Sequence, residues 1–152
     1  MWKRVLLASD LSPASEAATR TAVDLVRTIG AQLHVVHVLE PPFEAPQWFV
    51  PLESWERGMY EGVAKRAEEA ARAGLREALA RGGATADIHV RRGIAADTIV
   101  STAADLHADV LVLGTHGRTG LPHALLGSIA ERVARTCPCP VLIVRGERPE
   151  KK

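Results

Sequence analysis

The stretch from Val110 to Ala130, V-L-V-L-G-T-H-G-R-T-G-L-P-H-A-L-L-G-S-I-A, constrains the chain more than any other. Val110 to Leu113 form an unbroken apolar run, as expected of a strand buried on both faces. The run stops at Gly114, and a loop with further glycines and a proline follows. Gly127-Ser128 then opens a segment, Ile129, Ala130, Val133, with helical spacing. A strand, a glycine loop and a helix start together make an anion site. Glycine lets backbone N–H groups approach a phosphate closely, and the first turn of a helix carries N–H groups without intrahelical partners. Gly127 interrupts residues that all suit a helix, namely Ala124, Leu125, Leu126, Ile129 and Ala130. Glycine inside a helix costs about 1 kcal/mol relative to alanine. That loss is understood if Gly127 marks the helix start with an anion against its backbone, Ser128 adding a hydroxyl.

Around this stretch, apolar runs alternate with helical patterns. Val5 to Ala8 reads as a short strand, and Ser12-Pro13 as an N-cap followed by a first-turn proline. A helix then runs to about Ile29, with Ala14, Ala17, Ala18, Thr21, Ala22, Leu25 and Ile29 on one stripe, and Gly30 ends it. Leu33 to Leu39 is the second strand. The segment from Glu40 to Glu53 holds Pro41, Pro42, Pro46 and Pro51 together with Phe43, Trp48 and Phe49, so it reads as an aromatic, proline-rich loop: a lid, a partner surface or a local satellite core. Ser54 to Arg81 reads as a long amphipathic helix that buries Trp55, Met59, Val63, Ala67, Ala70, Leu75, Ala78 and Leu79. Glu61–Lys65, Glu68–Arg72 and Glu77–Arg81 are i,i+4 pairs on its solvated side. Asp87 to Arg91 alternates polar and apolar residues, as an edge strand does. A helix from Ile94 to about Leu106, the central stretch with its helix ending near Thr136, and a last strand Val141 to Val144 complete the chain. Strict alternation of strand and helix predicts an α/β fold with one parallel sheet and helices on both faces.

Length and composition set the outer limits. The chain of 152 residues is enough for one domain, expected over 1–146 with a polar tail at 147–152. A net charge of +1 gives no general electrostatic case for nucleic acid or for an acidic membrane surface. No apolar run approaches the length of a membrane span, and strand residues begin too early for a signal peptide, so the expected compartment is the cytoplasm. Both cysteines fall in Cys137-Pro138-Cys139-Pro140. A C-x-C pair lacks the further ligands of a structural zinc site and reads as two reduced thiols packed at a helix–strand junction.

The P-loop pattern G-x-x-x-x-G-K-[ST] is absent, no lysine lies in the central stretch, and G-x-G-x-x-G occurs nowhere in the chain. What stands there is Gly114-x2-Gly117-x9-Gly127-Ser128. This spacing resembles the nucleotide-binding motif G-2x-G-9x-G-[ST] of the universal stress protein family, small α/β proteins of which many bind ATP. The resemblance covers essentially the whole chain, and implies a Rossmann-like open five-stranded sheet of order 3-2-1-4-5. That order puts the first and fourth strands side by side where it reverses, the place where such sheets bind ligands. Asp10 follows the first strand and Gly114 ends the fourth, so two separately read features meet in one crevice.

The resemblance further implies roles residue by residue. Asp10, with Ala8 and Ser9 beside it, would lie at the adenosine end, although Asp10 also suits helix capping. Val38, after the strand-two histidine His37, would contact the base. Leu113 and Gly114 would line the ribose and phosphate region. Gly117, Gly127 and Ser128 would hold phosphates, with Ile129 and Ala130 adjoining and Arg118 available to neutralise charge. Some ATP binders carry a hydroxyl residue where Ala130 stands, which puts the grip on the last phosphate in doubt. The implied ligand is ATP, with ADP or AMP as alternatives and magnesium accompanying the phosphates. The implied assembly is a homodimer through the last strand, residues 141–144.

Catalytic geometry is not evident: there is no carboxylate cluster for a metal and no lysine at the phosphates. His116 and His123 are acid–base candidates that also read as plain loop residues. The expected function is therefore an ATP-binding regulatory, stress-response module. The alternatives are a slow nucleotide hydrolase or transferase of a related fold, and a dimeric stress protein that binds no nucleotide. The H-x-G-H and S-G-G-x-D-S motifs of related nucleotide enzymes are absent, the first strand ending Ala8-Ser9-Asp10-Leu11-Ser12.

Overall fold

The computed structural model describes residues 1–40, 54–115 and 126–146, without the side chains of 54–56. The aromatic loop residues 43–49 and the tail 147–152 lie outside the described residues. The elements are β1 (Arg4–Ala8), a 3-10 turn (Pro13–Ser15), α1 (Glu16–Ile29), β2 (Gln32–Leu39), α2 (Ser54–Arg81), β3 (Asp87–Arg92), α3 (Ala95–Asp105), β4 (Val110–Gly114), α4 (Ser128–Thr136) and β5 (Val141–Val144). They form one parallel sheet of order β3-β2-β1-β4-β5, as the alternation and the resemblance predict.

β1 sits at the centre and pairs on both sides, Val5 with Leu33 and Val110, Leu6 with His34 and Leu111. Its apolar run is buried on both faces: Val5, Leu6 and Leu7 are at most 1% exposed. Alternate residues feed two cores. Val5, Leu7, Val35, Val110 and Val112 pack under α1 and α2, against Ala18, Ala22, Val23, Leu75 and Leu79. Leu6, Ala8, Val36, Leu111 and Leu113 pack under α3 and α4, against Ala96, Ile99, Ala103, Ala130 and Val133. The alanines on α1 and α3 let those helices lie close to the sheet. α1 ends where expected: Gly30 takes φ 69°, a left-handed conformation that glycine adopts at little cost, and its N–H caps the Val26 carbonyl.

Two readings are corrected. Among the described side chains of α2, those that reach the core lie in its C-terminal half, Ala71, Leu75 and Leu79, whereas Met59, Val63, Ala67 and Ala70 are exposed; the Trp55 side chain lies outside the described residues. Periodicity identifies which residues share a helix face, but not how far along the helix a core lies beneath it. Glu61, expected to pair with Lys65, instead reaches Arg92 of β3 at 3.1 Å, while Glu68–Arg72 and Glu77–Arg81 form as i,i+4 pairs. At the amino ends of the strands, the Asp109 carboxylate accepts the Lys3 and Arg4 N–H groups at 2.7 and 2.8 Å, clamping β1 to the start of β4. Those two bonds hold its pKa below the usual value.

Candidate functional site: the crevice at the carboxyl ends of β1 and β4

β1 connects to β2 on one side and β4 to β5 on the other, so the chain turns in opposite directions at the carboxyl ends of β1 and β4 and opens a crevice there. Ala8 and Ser9 form its wall at the end of β1, both buried. Ser9 prolongs the ladder by one bond, donating its N–H to the Val36 carbonyl at 3.0 Å. The next residues form a tight loop. Asp10 Oδ1 accepts the Ser12 N–H at 2.9 Å and the Ser12 hydroxyl at 2.6 Å, while the Leu11 N–H reaches Ser9 Oγ at 3.3 Å. Ser12 therefore turns its hydroxyl toward Asp10 and makes no side-chain cap for the following turn. Leu11 is held at φ 62°, a conformation that costs a non-glycine residue on the order of 1 kcal/mol.

β4 supplies the facing wall. Leu113 is buried and Gly114 half-buried at the strand end. Thr115 follows, its N–H donating to the Val144 carbonyl at 3.0 Å and its own carbonyl accepting the Gly127 N–H at 2.8 Å. That second bond draws the start of α4 to the end of β4. Gly127 is the N-cap, with φ −61° and ψ 150°, and its carbonyl accepts the Glu131 N–H at 2.9 Å. Having no side chain, it offers no oxygen to the N–H groups of the first turn, Ser128, Ile129 and Ala130. Ser128 and Ile129 face solvent and Ala130 is buried.

Val38, half-buried near the end of β2, belongs with Ala8, Leu113 and Ala130 to the apolar cluster on the α3–α4 face. These residues come from four elements, and the fold brings them onto one side of the sheet. Asp10 lies just beyond the end of β1. Gly117 and Arg118, with His116 and His123, lie outside the described residues.

Three supporting residues escape a reading from sequence alone. His37, buried within β2, hydrogen-bonds through Nδ1 to the Ser9 carbonyl at 2.8 Å and ties β2 to the β1 loop. Thr115 bridges β4, β5 and α4. Glu40, just past β2, caps α3 by accepting the Ala95 N–H at 3.1 Å. A histidine on a strand facing the central strand was the available signal for the first; the other two rest on backbone geometry and long-range pairing that local pattern does not carry.

A separate groove of about 680 Å³ runs between α1 and α2 on the opposite face and touches the crevice loop only through Ser9, Leu11 and Ser12. Arg20, Arg27 and Arg81 alternate there with Glu16, Asp24 and Glu77, so its walls present no set of like groups converging on one ligand charge. Among the described residues no group of three or more His, Cys, Asp or Glu side chains is placed to hold a metal ion, and no helix is long and apolar enough to cross a membrane.

Known proteins match this architecture along its length. The model of the universal stress protein family matches residues 1–145. The chain is 30% identical over 154 residues to universal stress protein MJ0531 of Methanocaldococcus jannaschii, an alignment covering all of this chain and 86% of that one. The solved structure of protein MJ0577 superposes with a TM-score of 0.76 at 25% identity, covering 98% of this chain and 99% of that one. A universal stress protein solved in complex with cAMP superposes with a TM-score of 0.64 at 29% identity, covering 96% and 98%. The chain belongs to the universal stress protein family.

Proposed function

We propose that this universal stress protein is an adenine-nucleotide-binding regulatory module, with ATP as its ligand in the crevice between the carboxyl ends of β1 and β4. The observation that carries the reading is the Gly127 N–H to Thr115 carbonyl bond, which brings an uncapped helix start against the end of a buried strand. Phosphates would lie against Gly127, on the N–H and hydroxyl of Ser128, and beside Gly114 and Gly117, where the α4 dipole favours negative charge. The base would lie toward Asp10 and Val38, over the apolar wall of Ala8 and Leu113. The strained Leu11 and the bonds that hold Asp10 fit a loop kept in one conformation for a ligand. The relative bound to cAMP supports an adenine nucleotide. Magnesium, if it accompanies ATP, would be held chiefly by the phosphates and water. The assembly we propose is a homodimer through β5, which pairs only with β4 among the described strands.

The test is thermal unfolding of the purified protein with ATP, ADP, AMP or cAMP, with and without magnesium. At a free ligand concentration of about 100 times Kd, binding adds roughly 2.7 kcal/mol. For a domain of this size that raises Tm by very roughly 5–10 °C. The absence of a shift with every nucleotide at millimolar concentration overturns the reading.

A further inference from the structure

Cys137 and Cys139 lie away from the crevice, at the other end of α4. Their sulfurs are 3.5 Å apart and hydrogen-bonded. Both thiols are free and half-buried against the α3–α4 core. The backbone on each side is anchored: the Cys137 N–H bonds to the Val133 carbonyl at 2.9 Å and ends α4, and the Pro140 carbonyl accepts the Leu111 N–H at 2.9 Å beside β5. Pro138 between them has a fixed φ, which further limits the backbone between the two cysteines.

We propose that Cys137 and Cys139 form a thiol–disulfide modification site that hydrogen peroxide closes and a small dithiol or monothiol reopens. Their sulfurs need approach by only about 1.5 Å to reach a disulfide bond length near 2.05 Å, a shift within reach of side-chain rotation. Oxidation proceeds in two balanced steps. A Cys137 thiolate attacks the peroxide: an S–O bond forms, the O–O bond breaks, and the departing hydroxide takes up a proton as water. The Cys139 sulfur then displaces hydroxyl from Cys137: the S–S bond forms, the S–O bond breaks, and the Cys139 proton leaves with that hydroxide as a second water. Two electrons pass from the sulfur pair to the peroxide. Burial first, and then the hydrogen bond to Cys137, push the Cys139 thiol up to about 12. Cys139 thus keeps its proton and serves as the resolving thiol, and Cys137 takes the oxygen. A disulfide that closes so short a ring carries strain and is readily reduced. With no third ligand placed nearby among the described residues, thiol chemistry suits the pair better than a structural metal.

The test uses the full chain, reduced and then treated with hydrogen peroxide in modest excess, followed by iodoacetamide in denaturant, intact-mass measurement and peptide mapping. The expected result is loss of alkylation at both cysteines, a mass lower by two hydrogens, and a peptide bearing a Cys137–Cys139 link, all reversed by dithiothreitol. In Cys139→Ser the remaining Cys137 should instead be trapped by dimedone as the sulfenic acid. Full alkylation after treatment, oxidation to sulfinic acid without a link, or a disulfide found only between chains overturns the proposal.

Discussion

His37 Nδ1 lies 2.8 Å from the carbonyl oxygen of Ser9. A carbonyl only accepts, so the ring carries its proton on Nδ1 and donates it. The bond crosses from β2 to the residue that turns the chain out of β1, and it orients the loop that carries Asp10. His37→Ala removes a buried ring and leaves the Ser9 carbonyl without this donor. The expected cost is about 2–4 kcal/mol of folding stability in urea, with weaker nucleotide binding at temperatures where the variant is folded. An unchanged unfolding midpoint would show that the bond supports neither β2 nor the loop.

The two-face division of the sheet was largely legible in the chain. The apolar runs of β1 and β4 suit strands buried on both sides, and the helix penalty of Gly127 is understood if it marks a helix start, where the structure has it as the N-cap of α4. What local pattern cannot carry is pairing across long separations. Glu40 caps α3 from 55 residues away, and Glu61 prefers Arg92 on a neighbouring strand to Lys65 on its own helix. Met59 and Val63 are exposed, and how far a core extends along α2 is something the helix period does not encode. The positive φ of Leu11 is likewise a property of the closed loop, since leucine gives no signal for it.

His34 and His89 make a second test of buried chemistry. They stack on neighbouring strands, with His34 Nδ1 and His89 Nε2 3.3 Å apart. The His89 pKa is lowered, first by burial and then by His34 and Arg91; Asp87 opposes the shift and Arg72 adds slightly to it. A histidine with a depressed folded pKa binds fewer protons folded than unfolded. The corresponding stability is present above the unfolded value near 6.5 and is lost as pH falls from there through the folded value. Unfolding free energies measured between pH 7.5 and 5 should fall in the wild type and fall less in His89→Gln. Parallel curves for the two proteins would remove His89 as the source.

Gly127→Val separates folding from ligand binding. The N-cap conformation, φ −61° and ψ 150°, lies in the β region that valine favours. The backbone therefore admits the substitution, at roughly the cost of a poor cap, about 1 kcal/mol. Its side chain would occupy the space in which a phosphate would approach the first turn of α4. The expected outcome is a folded protein with near wild-type circular dichroism and no nucleotide-induced rise in Tm. Gly117→Val is expected to behave alike. Retained affinity in folded Gly127→Val would show that phosphate does not sit at this helix start.

β5 decides the proposed assembly. Its four large apolar residues occupy the outermost strand beyond β4. An uncovered apolar edge invites pairing with another strand, and a second copy related by a two-fold axis is the simplest closed cover. The residues within β5 are not equivalent. Val141 and Ile143 pack toward the α3–α4 core and Val144 toward the opposite core, while Leu142 is 38% exposed. A charge at Ile143 would therefore damage the monomer as well as an interface, and Leu142→Glu is the cleaner probe. Light scattering well above micromolar concentration should give a dimer mass for the wild type and a monomer mass for folded Leu142→Glu. Ile143→Glu should instead lower Tm sharply at any protein concentration, through its loss of core packing. A wild-type mass equal to one chain would end the dimer proposal and leave the β5 edge covered from within the same molecule.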